Sequence, residues 1–468
     1  MRYILAVVFI TITACANAQT CDCKKEFLHI KKVVEENFAG YPDRVKALTK
    51  AVYTKKTMEL QRLTQNKFAS DNCPLIISQY LELFKSNHLG FSNAFDARKT
   101  DTDFVNHRPL FPISENKLNQ LKQSTSWEGI YYFTHDSSYK IAVIKDPTPL
   151  HDYVGVLLES RISTWKKGML KFEGKLVNDS LLFGLLYLRN HRPKREYFGL
   201  NDNNNKISGD WRREGSVKPP GGPLNTPGAN PPPISAKTIS PNTLYIKIRT
   251  FDTDYKPMLD SALKANESLL NTLPNLVLDL RDNGGGSDDL WQPLIPYLYT
   301  NPIRFTGVDI LATPITIAGW KKYLEDENIS AGNRADITSK IAAMEKAKGE
   351  WVNIGEDQVD SSMQQKAFPQ KIVILINKWC GSSTEEFLLA AKQSTKVILA
   401  GETTIGNLDY SNVVETAFSC FPYTLRYAST RSRRLNDNKG IDNIGIAPRY
   451  PIAENDDWIK EALRILGQ

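Results

Sequence analysis

The sequence predicts an α/β core preceded by a small helical domain and a β-rich domain. Three patterns carry this: apolar residues at helical spacing near the N-terminus, short β-type runs in the middle, and alternating strand and helix signals in the C-terminal half. At 468 residues the chain is too long for one ordinary core, so two or three domains are expected.

The chain opens with Arg2, an apolar run over 3–12, and then Ala16-Asn17-Ala18 before Gln19, the small-x-small form of a signal-peptidase site. The run is too short to remain as a membrane anchor. Residues 1–18 are therefore read as a signal peptide, giving an exported, periplasmic or secreted product with no transmembrane helix after processing. Ile12-Thr13-Ala14-Cys15 also resembles a bacterial lipoprotein box, in which Cys15 would be lipidated and kept. Export makes disulfides plausible among Cys21, Cys23, Cys73, Cys380 and Cys420. Cys73 could pair with Cys21 or Cys23; Cys380 and Cys420 are as well read as free thiols as a second bridge. Cys-x-Cys without a second ligand pair is a poor metal motif, and no cofactor is expected.

The helical domain is expected over 19–105. Phe27, Ile30, Val33 and Val34 share one face, as do Leu75, Ile76, Tyr80, Leu83 and Phe84. A β-rich domain follows over 120–213, with runs at 129–133, 139–144, 153–158 and 180–188 separated by turn residues. Residues 214–238 contain Pro219-Pro220-Gly221-Gly222-Pro223 and Pro231-Pro232-Pro233, a linker composition. The α/β core is expected over 239–468. Its strands are placed at 244–248, 276–280, 371–376 and 397–400, its helices near 255–270 and 383–393, with a charged helical insertion at about 313–350. The chain is 41% hydrophobic and 24% charged with a formal charge of +7 spread along its length. That is ordinary globular composition without the basic, aromatic-interleaved block of a nucleic-acid binder.

Two segments end predicted strands and carry candidate chemistry. Leu278-Asp279-Leu280-Arg281-Asp282-Asn283-Gly284-Gly285-Gly286 would turn sharply and expose N–H groups able to hold an oxyanion, or would simply be a tight turn. Asn377-Lys378-Trp379-Cys380-Gly381-Ser382-Ser383-Thr384-Glu385-Glu386 runs from a strand end into a helix N-terminus. There Ser382 could be a nucleophile, or a helix cap completed by Glu385 or Glu386.

Together with Gly401-Glu402-Thr403-Thr404-Ile405-Gly406, these segments resemble the tail-specific, C-terminal-processing serine peptidase family. The resemblance implies a ClpP/crotonase-like sheet with helices, Ser382 as nucleophile, and oxyanion donors from Gly284, Gly285, Gly286 and Ser383. Many members pair the serine with a lysine just after the third element. Here that position is Asn407, which cannot act as a general base. The tricorn-like branch instead uses a histidine from the helical domain and a C-terminal acid. The matching positions are His88, in Ser86-Asn87-His88-Leu89, and Asp442, in Asp442-Asn443-Ile444-Gly445-Ile446-Ala447-Pro448. The implied triad is Ser382, His88 and Asp442, with peptide or unfolded protein as substrate. Many members also carry a PDZ module, but 127–211 lacks its Gly-Leu-Gly-Phe-like loop, so that module's ligand is left open. Two other functions compete: an inactive relative binding peptides or lipophilic ligands, and an exported esterase or amidase. The absence of a Gly-x-Ser-x-Gly elbow counts against the latter.

Overall fold

Asp22 starts the first helix, α1 (Cys23–Asn37), by accepting the Lys24 and Lys25 N–H groups at 2.9 and 3.1 Å. Phe27, Ile30, Val33 and Val34 then fall on one buried face. Three more helices follow, α2 (Tyr41–Leu48), α3 (Lys50–Leu63) and α4 (Ala69–Glu82). The computed structural model describes residues 21–66, 69–93, 109–134, 138–146, 148–208, 211–216, 232–327 and 329–468. The signal segment with Cys15, and residues 217–231 of the expected Pro/Gly-rich linker, lie outside the described residues, while 234–238 of that linker are already strand and open the core sheet.

The expected β-rich region is a closed antiparallel barrel. Its strands are β2 (Gly129–Phe133), β3 (Tyr139–Lys145), β4 (Tyr153–Ser160), β5 (Leu170–Asn178), β6 (Leu181–Tyr187), β7 (Pro193–Asn201), β8 (Lys206–Ile207) and β9 (Trp211–Arg213). Tyr131, Ile141, Val156, Phe172, Leu185, Phe198 and Trp211 pack together inside it, and Leu75 of α4 joins the same cluster, docking the barrel on the helices. His151 seals that junction. Its Nδ1 meets Asp146, and its Nε2 lies 2.6 Å from Asn72 Oδ1 and 3.0 Å from Glu173 Oε2.

Burial alone would push the His151 pKa down, but the flanking carboxylates outweigh it and raise the value to about 9. A folded pKa above the ordinary 6.5 places the stabilisation wholly below that pH and removes it as pH rises through about 9. The Tm of the wild type should therefore fall across this window, and His151→Gln should flatten the fall. A level Tm over the same range would exclude a charged His151 as a stabilising group.

The core is a six-stranded sheet in the order β10 (Ile234–Ser240), β11 (Thr243–Ile248), β12 (Asn275–Asp279), β17 (Lys371–Ile376), β18 (Val397–Gly401) and β21 (Tyr450–Pro451). All neighbours are parallel except β10 and β11. Central strands rich in Val, Ile and Leu are buried on both faces, with helices between them, as a parallel sheet requires. The expected α/β core is thus present. A second sheet joins β1 (Gly90–Asn93), β14 (Val308–Leu311), β15 (Trp351–Gly355), β19 (Tyr410–Ala417) and β20 (Tyr423–Ser432). A short ribbon pairs β13 (Ile303–Phe305) with β16 (Gln358–Asp360).

That second sheet binds the N-terminal helices to the core. Phe27, Ile30, Tyr80 and Phe84 share one buried cluster with Ile317, Trp320 and Met344 of the 313–350 insertion and with Leu425 and Tyr427 of β20. The helices therefore do not bury a core of their own. Cys23–Cys73 ties α1 to α4, one of the two pairings expected. Cys21–Cys420 ties the start of the described chain to the β19–β20 turn, whose Ser419 and Cys420 N–H groups are accepted by buried Glu26 at 2.9 and 2.7 Å. That second bridge was not among the expected pairings, because nothing in the sequence shows the turn folding back over α1. Cys380 is a buried free thiol. Among the described residues no helix is long and apolar enough to cross a membrane.

Candidate active site

Strands β12 and β17 are adjacent and parallel, so the segments that follow them leave the same edge of the sheet, where such sheets form ligand crevices. Asp279, at the end of β12, is fully buried and accepts Tyr245 Oη at 2.7 Å and Arg281 Nε at 2.9 Å. Burial pushes its carboxyl up, and the Arg281 guanidinium beside it outweighs this and holds the pKa below the usual value. Asp-Leu-Arg is thus a strut. Asn283 does the joining. Its Oδ1 accepts the Gly285 N–H at 3.0 Å and Thr384 Oγ1 at 2.8 Å, while its own carbonyl accepts the Gly381 N–H at 3.2 Å. One buried side chain therefore pins the glycine turn to the segment carrying Ser382.

Ser382 has φ 55° and ψ −126°, immediately before the helix Ser383–Ala391. A non-glycine residue held there is strained, and such strain at a strand-to-helix turn lifts a nucleophile out of the sheet. The serine also belongs to a capping arrangement, since its N–H reaches Glu385 Oε2 at 3.3 Å. Glu385 is more than a cap. It also accepts the Gly406 and Asn407 N–H groups at 2.8 and 2.7 Å and the Thr404 hydroxyl, stitching the Ser382 turn to the third sequence element. Burial raises its pKa against the pull of these donors.

Gly285 lies against the nucleophile: a Cβ there would stand 2.8 Å from Ser382 Cβ and 3.0 Å from the Ser383 nitrogen. Of the expected oxyanion donors, the Gly285 N–H is already committed to Asn283. Those of Gly284, Gly286 and Ser383 have no partner among the described residues. Ser383 is held by its own hydroxyl, which donates to Asp288 Oδ1 at 2.6 Å.

His88 precedes β1, whose antiparallel pairing with β20 sets its position. Its Nδ1 lies 2.6 Å from the Tyr410 carbonyl oxygen. A carbonyl only accepts, so Nδ1 carries the proton and Nε2 keeps the lone pair a general base needs. Burial pushes the His88 pKa below 6.5, opposed by that hydrogen bond and assisted by Arg426.

Asp442 differs from the expectation. Among the described residues no carboxylate lies within ion-pair distance of His88. The Asp442 side chain is spent elsewhere, with Oδ1 accepting the Leu408 and Asp409 N–H groups at 2.8 and 2.7 Å and Oδ2 accepting Arg44 Nη2 at 2.9 Å. Asp409 reciprocates by accepting the Asp442 N–H at 2.8 Å, and Arg434 bridges Asp409 at 3.3 Å to Glu386 at 3.2 Å. Asp442 therefore fixes the backbone that presents the Tyr410 carbonyl rather than touching the imidazole.

Ser382 and His88 are not hydrogen-bonded to each other, yet they attach near the two ends of one short segment. Glu385 holds Asn407, Tyr410 holds His88, and three residues span at most about 11 Å. The Asn407 Cβ lies 4.0 Å from where a Cβ on Gly381 would stand, beside the nucleophile turn, where an amide can take no proton. Asp409, Tyr410, Arg44 and Arg434 were not singled out from the sequence. A main-chain acceptor has no residue signature, and the two arginines meet their acids only through the fold. Among the described residues no group of three or more His, Cys, Asp or Glu is placed to hold a metal.

Residues 242–452 match peptidase family S41. Among solved structures, mature CPAF complexed with lactacystin is 12% identical with a TM-score of 0.50, covering 95% of this chain and 97% of that one. Mature CPAF alone gives 13% identity and a TM-score of 0.49, covering 95% of each. The photosystem II D1 C-terminal processing protease gives 14% and 0.38, covering 96% of this chain and 98% of that one. At 12% identity the likeness to the lactacystin complex speaks for the fold alone. No curated protein matches the chain significantly.

Proposed function

Over residues 242–452 the chain belongs to peptidase family S41 and is a serine-type peptidase, and from that premise we propose an exported endopeptidase of the C-terminal-processing type whose acyl-enzyme forms on Ser382. The observation that carries this is Ser382 itself, held at φ 55° at a helix N-terminus with Gly285 against its Cβ. His88 Nε2 removes the Oγ proton as Oγ attacks a peptide carbonyl. The tetrahedral oxyanion is held by the Ser383 N–H and by those of Gly284 and Gly286. On collapse the C–N bond breaks and His88 returns the proton to the leaving amine. Water, activated by the same imidazole, then releases the acyl group. The Tyr410 carbonyl, rather than a carboxylate, fixes the tautomer. The Ser382–His88 hydrogen bond is one that forms as substrate binds, since such contacts tighten in the Michaelis complex. Two disulfides favour an oxidising compartment and support export.

Purified chain starting at Gln19 should cleave casein and react covalently with a fluorophosphonate at Ser382. Asn407→Ala should keep both activities within about twofold, as expected for a residue outside the proton path. A folded sample that neither cleaves nor labels would instead indicate a peptide-binding relative. Rapid turnover of small esters with no protein cleavage would indicate an esterase.

A further inference from the structure

The barrel reaches the segment that carries His88. Arg195, on β7, donates from Nη1 to the carbonyl of Leu89, the residue after His88, and from Nη2 to Glu82 Oε2 at 2.6 Å. Tyr197, two residues on and so on the same side of the strand, hydrogen-bonds Glu82 through its hydroxyl. Glu82, in the last turn of α4, also receives Lys85 Nζ at 2.6 Å. Lys85 stands at φ 46°, where the chain reverses out of α4 toward His88, and its carbonyl accepts Asn443 Nδ2 at 2.9 Å. Residues 82–90 are thus gripped from the barrel by Arg195 and Tyr197, from the core by Asn443, and at His88 by the Tyr410 carbonyl.

The Arg195 guanidinium is largely withdrawn from solvent, with 17% of its side chain exposed against 16% for Glu82, and it lies 5.6 Å from the Phe183 ring of β6. A guanidinium that satisfies a carboxylate and a carbonyl at once holds both at a fixed separation, which a single-point cation cannot reproduce. We infer that the barrel serves as a positioning module for the general base, with Arg195 and Tyr197 as its positioning residues. The inference rests on His88 being the base. It gives the barrel a role in turnover that needs no ligand of its own: it sets where the imidazole sits relative to Ser382.

Arg195→Met and Tyr197→Phe would be compared with Lys194→Met, which changes the solvent-exposed neighbour on the same strand. Arg195→Met should lower kcat on casein about 10- to 100-fold, the loss expected when a catalytic group shifts by up to about 1 Å, with KM within about twofold. The rate of fluorophosphonate labelling should fall in parallel, and the acid limb of kcat/KM should move toward the ordinary histidine value. Tyr197→Phe should do the same to a lesser degree, and Lys194→Met should do nothing. A folded Arg195→Met with wild-type kcat and acid limb overturns the inference, as does a KM effect alone. If Arg195→Met does not fold, Tyr197→Phe decides by the same two readouts. Failure of the underlying premise looks different: His88→Ala would then retain activity whatever Arg195 does.

Discussion

Ser382→Ala and His88→Ala should each lower kcat/KM on casein by roughly 10⁴- to 10⁶-fold, and the double variant should be no worse than either single one. Nucleophile and base act as one unit, so removing the second member takes away nothing that still operates. What survives is transition-state binding by the glycine turn and the Ser383 N–H. The wild-type pH profile carries a second, independent mark of His88. Burial disfavours the imidazolium, so the free base persists to lower pH than for an exposed histidine. Activity should therefore be full above about pH 6.5 and lost only as pH falls through the depressed pKa, read as the acid limb of kcat/KM. Because the Tyr410 carbonyl bears no charge, it lends the imidazolium less support than a carboxylate would. Asp442→Asn should accordingly act through the loop at 407–410 rather than through that limb. A His88→Ala enzyme within tenfold of wild type would remove the histidine from the mechanism.

The core was legible because its strands are short, apolar and separated by helix signals, so β17 falls where its Lys-Ile-Val-Ile-Leu-Ile run predicts. Ser382 was legible for a different reason, namely that its chemistry lies in one local segment at a strand end. His88 was reachable only through the family resemblance, since its partners lie 322 residues away at Tyr410 and on the facing strand β20. The role of Asp442 could not be read at all. Its spacing in Asp442-Asn443-Ile444-Gly445 suits an orienting acid, but its side chain is saturated by two N–H groups and Arg44, contacts that exist only once α2 packs over the loop. Local pattern fixes which residue types stand at a strand end; which acceptor faces an imidazole is decided by tertiary packing.

Gly285→Ala should abolish turnover almost as completely as loss of the nucleophile, while Gly284→Ala should be nearly silent. The two glycines are neighbours in one motif, yet their surroundings are opposite. A methyl at Gly285 would meet the Gly381 carbonyl oxygen and Ser382 Cβ at 2.8 Å and the Ser383 nitrogen at 3.0 Å, all main-chain or Cβ atoms with no flexible end to move aside. Its φ of +106° is also one that side-chain-bearing residues rarely adopt. Relief requires that the Ser382 turn shift outward, and a displacement of about 1 Å at a reacting atom costs on the order of 10²-fold. The same shift takes the Ser383 N–H off the oxyanion, worth on the order of another 10²–10³. At Gly284 nothing stands within 4 Å of the added carbon, and an alanine keeps the N–H. That variant should stay within about twofold of wild type in kcat, the range of a substitution that touches nothing. Melting curves would separate a local shift from unfolding, since strain confined to the edge of the sheet should leave a cooperative transition. Equal losses at both glycines would mean that the motif works through flexibility rather than through the contact with Ser382, and equal indifference would place the oxyanion site elsewhere.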